Sequence, residues 1–158
     1  MVAGDDTTGK GTLAAGNLTL QNDVTISLGV TKNASGAAGT NYGQLSAGAL
    51  DLSGITHITV SLQNVIGDGS TFDIFANQVW NSVITTTGLA NFTSSQFSID
   101  SNNLIGAEGL GGRFSLVQSG NSLNLEYLAI PEPQTWAMLL GGVGLLGFTQ
   151  RLRRRFQS

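Results

Sequence analysis

The chain lacks several of the residues on which enzymes and nucleic-acid-binding proteins depend. It has 158 residues with no cysteine, one histidine and two prolines, and only 11% of its residues are charged. Without cysteine, disulfides, thiolate nucleophiles and cysteine-bound metals are excluded. Residues 1–130 hold only Lys10, Lys32 and Arg113 as basic residues, against nine carboxylates. No basic stripe can neutralise phosphates, so nucleic acid is excluded as a partner.

The remaining polar residues form no recognisable reactive group. His57 is the only histidine, and its place in an alternating segment predicts an exposed position beside buried Ile58 and Val60. The carboxylates are scattered along the chain, with no spacing that brings two of them to one site; in the segment 51–126 they are Asp51, Asp68, Asp73, Asp100, Glu108 and Glu126. We therefore predict no catalytic, cofactor-binding or metal-binding residues, and a chain that is not an enzyme.

The C-terminal segment, 131–158, carries the most specific pattern. Both prolines flank one glutamate as Pro131-Glu132-Pro133, and an uncharged segment predicts a membrane helix over 135–150. The residues that characterise this helix are Trp136, Leu139, Leu140, Gly141, Gly144, Gly147 and Phe148. An arginine cluster follows it, Arg151, Arg153, Arg154 and Arg155. Because arginines resist translocation, the cluster should stay in the cytoplasm and residues 1–130 should lie outside.

The predicted helix is short for a permanent anchor. Sixteen residues at 1.5 Å each span about 24 Å, whereas a bilayer core is about 30 Å thick. Glycines recurring at 141, 144 and 147 reduce its apolar surface and leave a groove that another helix could approach. These features favour a temporary anchor.

This C-terminal pattern resembles the PEP-CTERM protein-sorting signal of Gram-negative bacteria, which is also described as an ice-binding protein C-terminal domain. The resemblance rests on Pro131-Glu132-Pro133, the Gly/Leu-rich helix and the terminal arginines, in that order. It implies that an exosortase, a membrane-embedded processing enzyme, recognises the tail. It also implies surface sorting associated with exopolysaccharide, a further expected partner.

The segment 1–130 reads as a domain of short β-strands. Alternating apolar and polar residues predict strands at Leu18–Leu20, Val24–Leu28, Ala49–Leu52, Ile58–Leu62, Phe72–Phe75, Phe97–Ile99, Phe114–Val117 and Leu123–Tyr127. Turn-forming residues separate them, and Thr85–Ala90 and Ser94–Gln96 read as loop or at most one helical turn. The domain is therefore predicted to be all-β.

Strand pattern alone leaves a sandwich, a barrel and a solenoid open. Three segments resemble in sequence the end of autotransporter-associated β-strand repeat proteins: Asn17-Leu18-Thr19-Leu20, Ala49-Leu50-Asp51-Leu52 and Gly67-Asp68-Gly69-Ser70-Thr71-Phe72. That resemblance implies the end of a right-handed parallel β-helix, with a β-sandwich as the alternative. Residues 1–6 do not read as an export signal, so we expect residues 1–130 to belong to a longer exported protein.

Together these observations predict a non-enzymatic surface or extracellular-matrix protein. It would be held transiently in the inner membrane by residues 131–158 and would then reach the cell surface or the medium. The alternative is a carbohydrate- or ice-binding surface module.

Overall fold

A computed structural model describes residues 1–3, 7–73, 76–104 and 111–130, together with residues 138, 140 and 141. The ordered elements are nine strands and one short 3-10 helix in this part of the chain. They are β1 (Val2–Ala3), β2 (Gly11–Ala14), β3 (Val24–Val30), β4 (Gly43–Asp51), β5 (Ile58–Asn64), β6 (Gln78–Ala90), the 3-10 helix (Ser94–Gln96), β7 (Phe97–Asn103), β8 (Arg113–Ser119) and β9 (Ser122–Leu128). The prediction of an all-β body is confirmed.

The strands form two sheets, and the first eight strands alternate between them along the chain. The first sheet has the order β1-β3-β5-β7 and the second the order β2-β4-β6-β9-β8. The neighbours β1, β3, β5 and β7 are all parallel, as are β2, β4 and β6. Among these described strands only β9 runs antiparallel to its two neighbours, β6 and β8.

In the parallel sheets, residues of the same type lie opposite one another in successive strands. In the first sheet Val24 lies opposite Ile58, and Ile58 lies opposite Phe97, so apolar positions of successive strands form one row. Along the same strands Thr25, Thr59 and Ser98 form a hydroxyl-bearing row on the outer face. Because side chains alternate between faces, each apolar row is accompanied by a polar one.

Both sheets contribute their inward side chains to one hydrophobic core. Aliphatic residues such as Leu28, Leu45 and Leu62 fill it with almost no exposed surface. An aromatic group lies at the β6, β8 and β9 end, where the Phe72 ring centroid is 6.3 Å from that of Trp80 and 5.2 Å from that of Tyr127. The Trp80 indole N–H donates to the Thr31 carbonyl at 2.8 Å, so this ring is buried with its polar atom satisfied.

Strand β6 contains an irregularity that side chains of other strands stabilise. Its pairing with β9 shifts between Trp80 and Ile84, and Ser82 has a φ of 54°. The Tyr42 hydroxyl donates to the Asn81 carbonyl at 2.9 Å, and Asn124 Oδ1 accepts the Ser82 N–H at 2.8 Å. The backbone groups freed by the bulge are thereby paired.

Three details of the strand prediction are wrong. Thr85–Ala90 is the second half of β6 and not a loop, because it pairs with β4 from Thr85 opposite Ser46 to Ala90 opposite Asp51. Leu18 makes only an isolated bridge to Leu50, so Leu18–Leu20 is not a strand. Phe72 lies outside any strand, although it is buried against the aromatic group. Ser94–Gln96, predicted to be loop or at most one helical turn, forms a single turn of 3-10 helix.

Candidate functional site

The body was predicted to hold no reactive group, and its polar side chains hydrogen-bond one another and the backbone. His57 is exposed, as predicted, and its Nδ1 lies 3.1 Å from Asp23 Oδ1. In the part of the chain that the structure describes, no three His, Asp or Glu side chains are close enough to hold a metal ion. The absence of a cofactor and of enzymatic activity stays a prediction.

Several aspartates stabilise turns. Asp51, Asp68 and Asp100 each accept a hydrogen bond from the backbone N–H two residues ahead, at 2.9, 3.1 and 3.0 Å respectively. Hydrogen bonds from Asn91 and Ser53 hold the pKa of Asp51 below its ordinary value. The hydrogen bonds of these three carboxylates therefore stabilise the turns in which they lie.

A groove opens between β7 and the β8–β9 hairpin, where the two sheets end. Its volume is about 710 Å³, and apolar side chains from both sheets, including Phe97, Ile99 and Phe114, line it. Arg113, Glu126 and Leu128 also contribute to the lining. The groove is therefore the open end of the core, and it reaches the last strand of the body.

The body ends in a set of contacts around the end of β9. The Ala129 N–H donates to Asn77 Oδ1 at 3.0 Å. On the other side Gly112 packs so closely that a β-carbon there would lie 2.4 Å from the Leu128 carbonyl oxygen, and at Gly111 one would lie 3.5 Å from that of Ile130. We call the contacts of Asn77, Gly111 and Gly112 with residues 128–130 the junction clamp.

Two buried polar side chains lie beside the junction clamp. Burial raises the pKa of the Tyr127 hydroxyl, and a backbone hydrogen bond with Gly112 offsets part of that rise. Gln78, opposite Tyr127, donates from Nε2 to the Asp73 carbonyl at 2.9 Å, while its buried Oε1 has no hydrogen-bond partner among the described residues. The buried Tyr127 side chain anchors the end of β9 in the core.

Most of the predicted tail residues lie outside the described residues. These are Pro131, Glu132, Pro133, Trp136, Leu139, Gly144, Gly147, Phe148, Arg151, Arg153, Arg154 and Arg155. Leu140 and Gly141 are described, with helical backbone, and so is Met138. The side chains of Met138 and Leu140 are 80% and 69% exposed. Among the residues that the structure describes, no helix is both long and apolar enough to cross a bilayer.

Comparison with known proteins identifies the class of signal that the tail carries. The family model of the PEP-CTERM protein-sorting motif matches residues 129–155. A search of the curated proteins and a search of the solved structures found no significant match. The chain thus carries a C-terminal PEP-CTERM sorting motif, as its sequence predicted, and the match begins at Ala129, inside the junction clamp.

Sequence reasoning missed the junction clamp. Asn77 is 52 residues from Ala129 in the chain, and a lone asparagine before a strand has no distinguishing pattern. The Gly111-Gly112 pair is visible in the sequence, but in a chain with 22 glycines it reads as a turn. Only the antiparallel placement of β9 brings these residues together.

Proposed function

We propose that this chain is an exported, non-enzymatic surface or extracellular-matrix protein that an exosortase-type enzyme processes at its tail. The observation that carries the proposal is the sorting motif at residues 129–155, directly after the last strand of a β-rich body. The body is the delivered part and the tail is the substrate of processing. Exopolysaccharide is the surrounding material that we expect at the surface.

The physical chemistry of the tail supports a temporary membrane stage. A helix over 135–150 spans about 24 Å at 1.5 Å per residue, so it crosses a core of about 30 Å only where the lipid thins or the flanking arginines snorkel. The four arginines hold the C-terminus in the cytoplasm, which leaves Pro131-Glu132-Pro133 on the outer side with the body. A proline has no N–H and a fixed φ, so it keeps the helix from extending back through this segment.

We further propose that the body is the end of a right-handed parallel β-helix. Two observations support this architecture: the alternation of β1 to β8 between two sheets, and the parallel stacking of Val24, Ile58 and Phe97 in successive strands of one sheet. In such a solenoid the antiparallel β8–β9 hairpin would close the last coil, as terminal repeats must do. The aspartates that hold turns and the polar outer rows suit a passive, well-solvated body.

The arginine cluster provides the test of the proposal. The variant R151Q/R153Q/R154Q/R155Q should misorient the helix or leave the protein unprocessed, since the cytoplasmic anchor is lost. Intact mass spectrometry of the surface and secreted fractions should find the wild type without most of residues 131–158 and the variant at full length.

The body offers a matched control for the loss of positive charge. Lys10 immediately precedes β2, at the opposite edge of the second sheet from β8, and the substitution K10Q should leave processing unchanged. If the quadruple variant yields the same shortened product as the wild type, the orientation argument is wrong. If the wild type stays at full length in the cytosol, the proposed export and processing are wrong.

A further inference from the structure

The sorting motif does not begin beyond the body but within it. The motif match starts at Ala129, and the Ala129 N–H is hydrogen-bonded to Asn77 Oδ1 at 3.0 Å. The last strand, β9, ends at Leu128, immediately before this residue. Ala129, the first residue of the motif, is therefore bonded to the body directly after a strand that is already packed.

Strand β9, which precedes Ala129, is held on both sides because it lies between two other strands. Tyr127 pairs with Gln78 of β6 on one side and with Phe114 of β8 on the other. Leu128 pairs with Arg113 of β8. Both flanks of the strand are thus occupied up to the point where the junction clamp begins.

The junction clamp extends both flanks beyond the ends of β6 and β8. The Asn77 carboxamide takes over on the β6 side, where it accepts the Ala129 N–H as a backbone carbonyl would. On the β8 side the absence of a side chain at Gly112 lets its backbone approach the carbonyl oxygen of Leu128, and Gly111 lies beside the carbonyl oxygen of Ile130. The next residue in the chain is Pro131, which has no N–H to donate and cannot extend this pairing.

We propose that Asn77, with Gly111 and Gly112, positions the start of the sorting signal by fixing Ala129 and Ile130 to the folded body. The inference rests on the proposed function of the tail and adds to it the place where the accessible segment begins. A protease binds an extended substrate on both sides of the bond it cleaves, so it cannot use a segment whose backbone is already paired. The processed protein consequently retains Ile130, and cleavage falls at Pro131 or beyond.

Limited proteolysis of the purified full-length chain in non-ionic detergent tests the clamp without the processing enzyme. Thermolysin cleaves before large apolar residues, and the bond before Ile130 is the informative one. In the wild type this bond should be protected. In Asn77→Ala, loss of one hydrogen bond should raise its cleavage rate about three- to tenfold. Asn77→Asp keeps an acceptor oxygen and should restore protection.

Asn102→Ala provides the matched control, because Asn102 is exposed on β7, a strand of the first sheet, whereas the clamp adjoins strands of the second. The proposal is overturned if Asn77→Ala is cleaved before Ile130 no faster than the wild type, or if Asn102→Ala is cleaved as fast as Asn77→Ala. If protection depends on Asn77 in vitro but cells leave the tail intact, the clamp stands and only the proposed processing is refuted. A processed product that lacks Ile130 in the wild type would refute the clamp's role.

Discussion

Replacing Trp80 by phenylalanine should destabilise the body by about 2–4 kcal/mol. The Trp80 side chain is fully buried, and its indole N–H donates to the carbonyl oxygen of Thr31 at 2.8 Å. Phenylalanine cannot donate, and an unpaired buried carbonyl costs about 1–3 kcal/mol. The smaller ring also leaves about 40 Å³ unfilled, which at about 24 cal/mol per Å³ adds about 1 kcal/mol. The two costs together give the predicted range.

The free energy of unfolding can be measured by urea titration of the full chain in non-ionic detergent, followed by far-ultraviolet circular dichroism. Dichroism is preferable to fluorescence because the substitution removes the only tryptophan of residues 1–130, and the second tryptophan, Trp136, lies in the tail. The matched control is Val79→Ala, since Val79 is the adjacent residue and its side chain is 39% exposed on the outer face. Val79→Ala should change stability by less than about 1 kcal/mol. A loss below about 1 kcal/mol in Trp80→Phe would show that the aromatic group does not stabilise this end of the core.

Two further predictions concern the close contact between Gly29 and Gly9 and the turn after β5. At Gly29 a β-carbon would lie 2.1 Å from the Gly9 carbonyl oxygen, so Gly29→Ala should cost at least about 2 kcal/mol in the same titration. Gly88→Ala, in open space within β6, should instead be neutral or stabilising by up to about 1 kcal/mol, and equal effects of the two substitutions would contradict the stacking. Burial tends to raise the pKa of Asp68, but hydrogen bonds from Ser70 and from the Lys32 N–H outweigh it and hold the pKa below its ordinary value of 3.8. Asp68→Asn should therefore lose stability at neutral pH, and its deficit should shrink as the pH falls below about 4; a deficit independent of pH would refute the role of the carboxylate.

Strand periodicity predicted most of the body because a strand with one buried face alternates whatever its partners are. Segments such as Ile58–Leu62 and Leu123–Tyr127 lie within β5 and β9 as expected. Thr85–Ala90 was mispredicted because three consecutive threonines and a glycine lack alternation. Its extended form comes from pairing with β4 on one side and, at Thr85, with Ser122 of β9 on the other. Tertiary pairing there overrides a weak local pattern.

The register of the stacked parallel strands was harder to predict from the sequence. The step along the chain from Val24 to Ile58 is shorter than the step from Ile58 to Phe97, so these stacked positions follow no fixed period. The variation arises in the connections between strands, whereas β3 and β5 pair in register over their whole length. The outer row of Thr25, Thr59 and Ser98 shows the consequence, because its three hydroxyl side chains become neighbours only through this register.

One part of the candidate site could be predicted from the sequence and the other part could not. The sorting motif is continuous in sequence, and its order of prolines, glycine-rich apolar segment and arginines could be recognised directly. The junction clamp depends on a side chain 52 residues upstream, and nothing local distinguishes Asn77. Contacts of this kind are predictable only when the pairing partner of the last strand is known.

The position of β9 also implies that, in the proposed function, folding of the body comes before processing of the tail. Its two neighbours, β6 and β8, both precede it in the chain, and the antiparallel hairpin brings it between them. The clamp on Ala129 and Ile130 therefore exists only after this sheet is complete. An unfolded body would leave the residues before Pro131 as accessible as those after it, and a protease could remove part of β9. Under the proposed function, folding of the body would protect its last strand and would limit processing to the residues after Ile130.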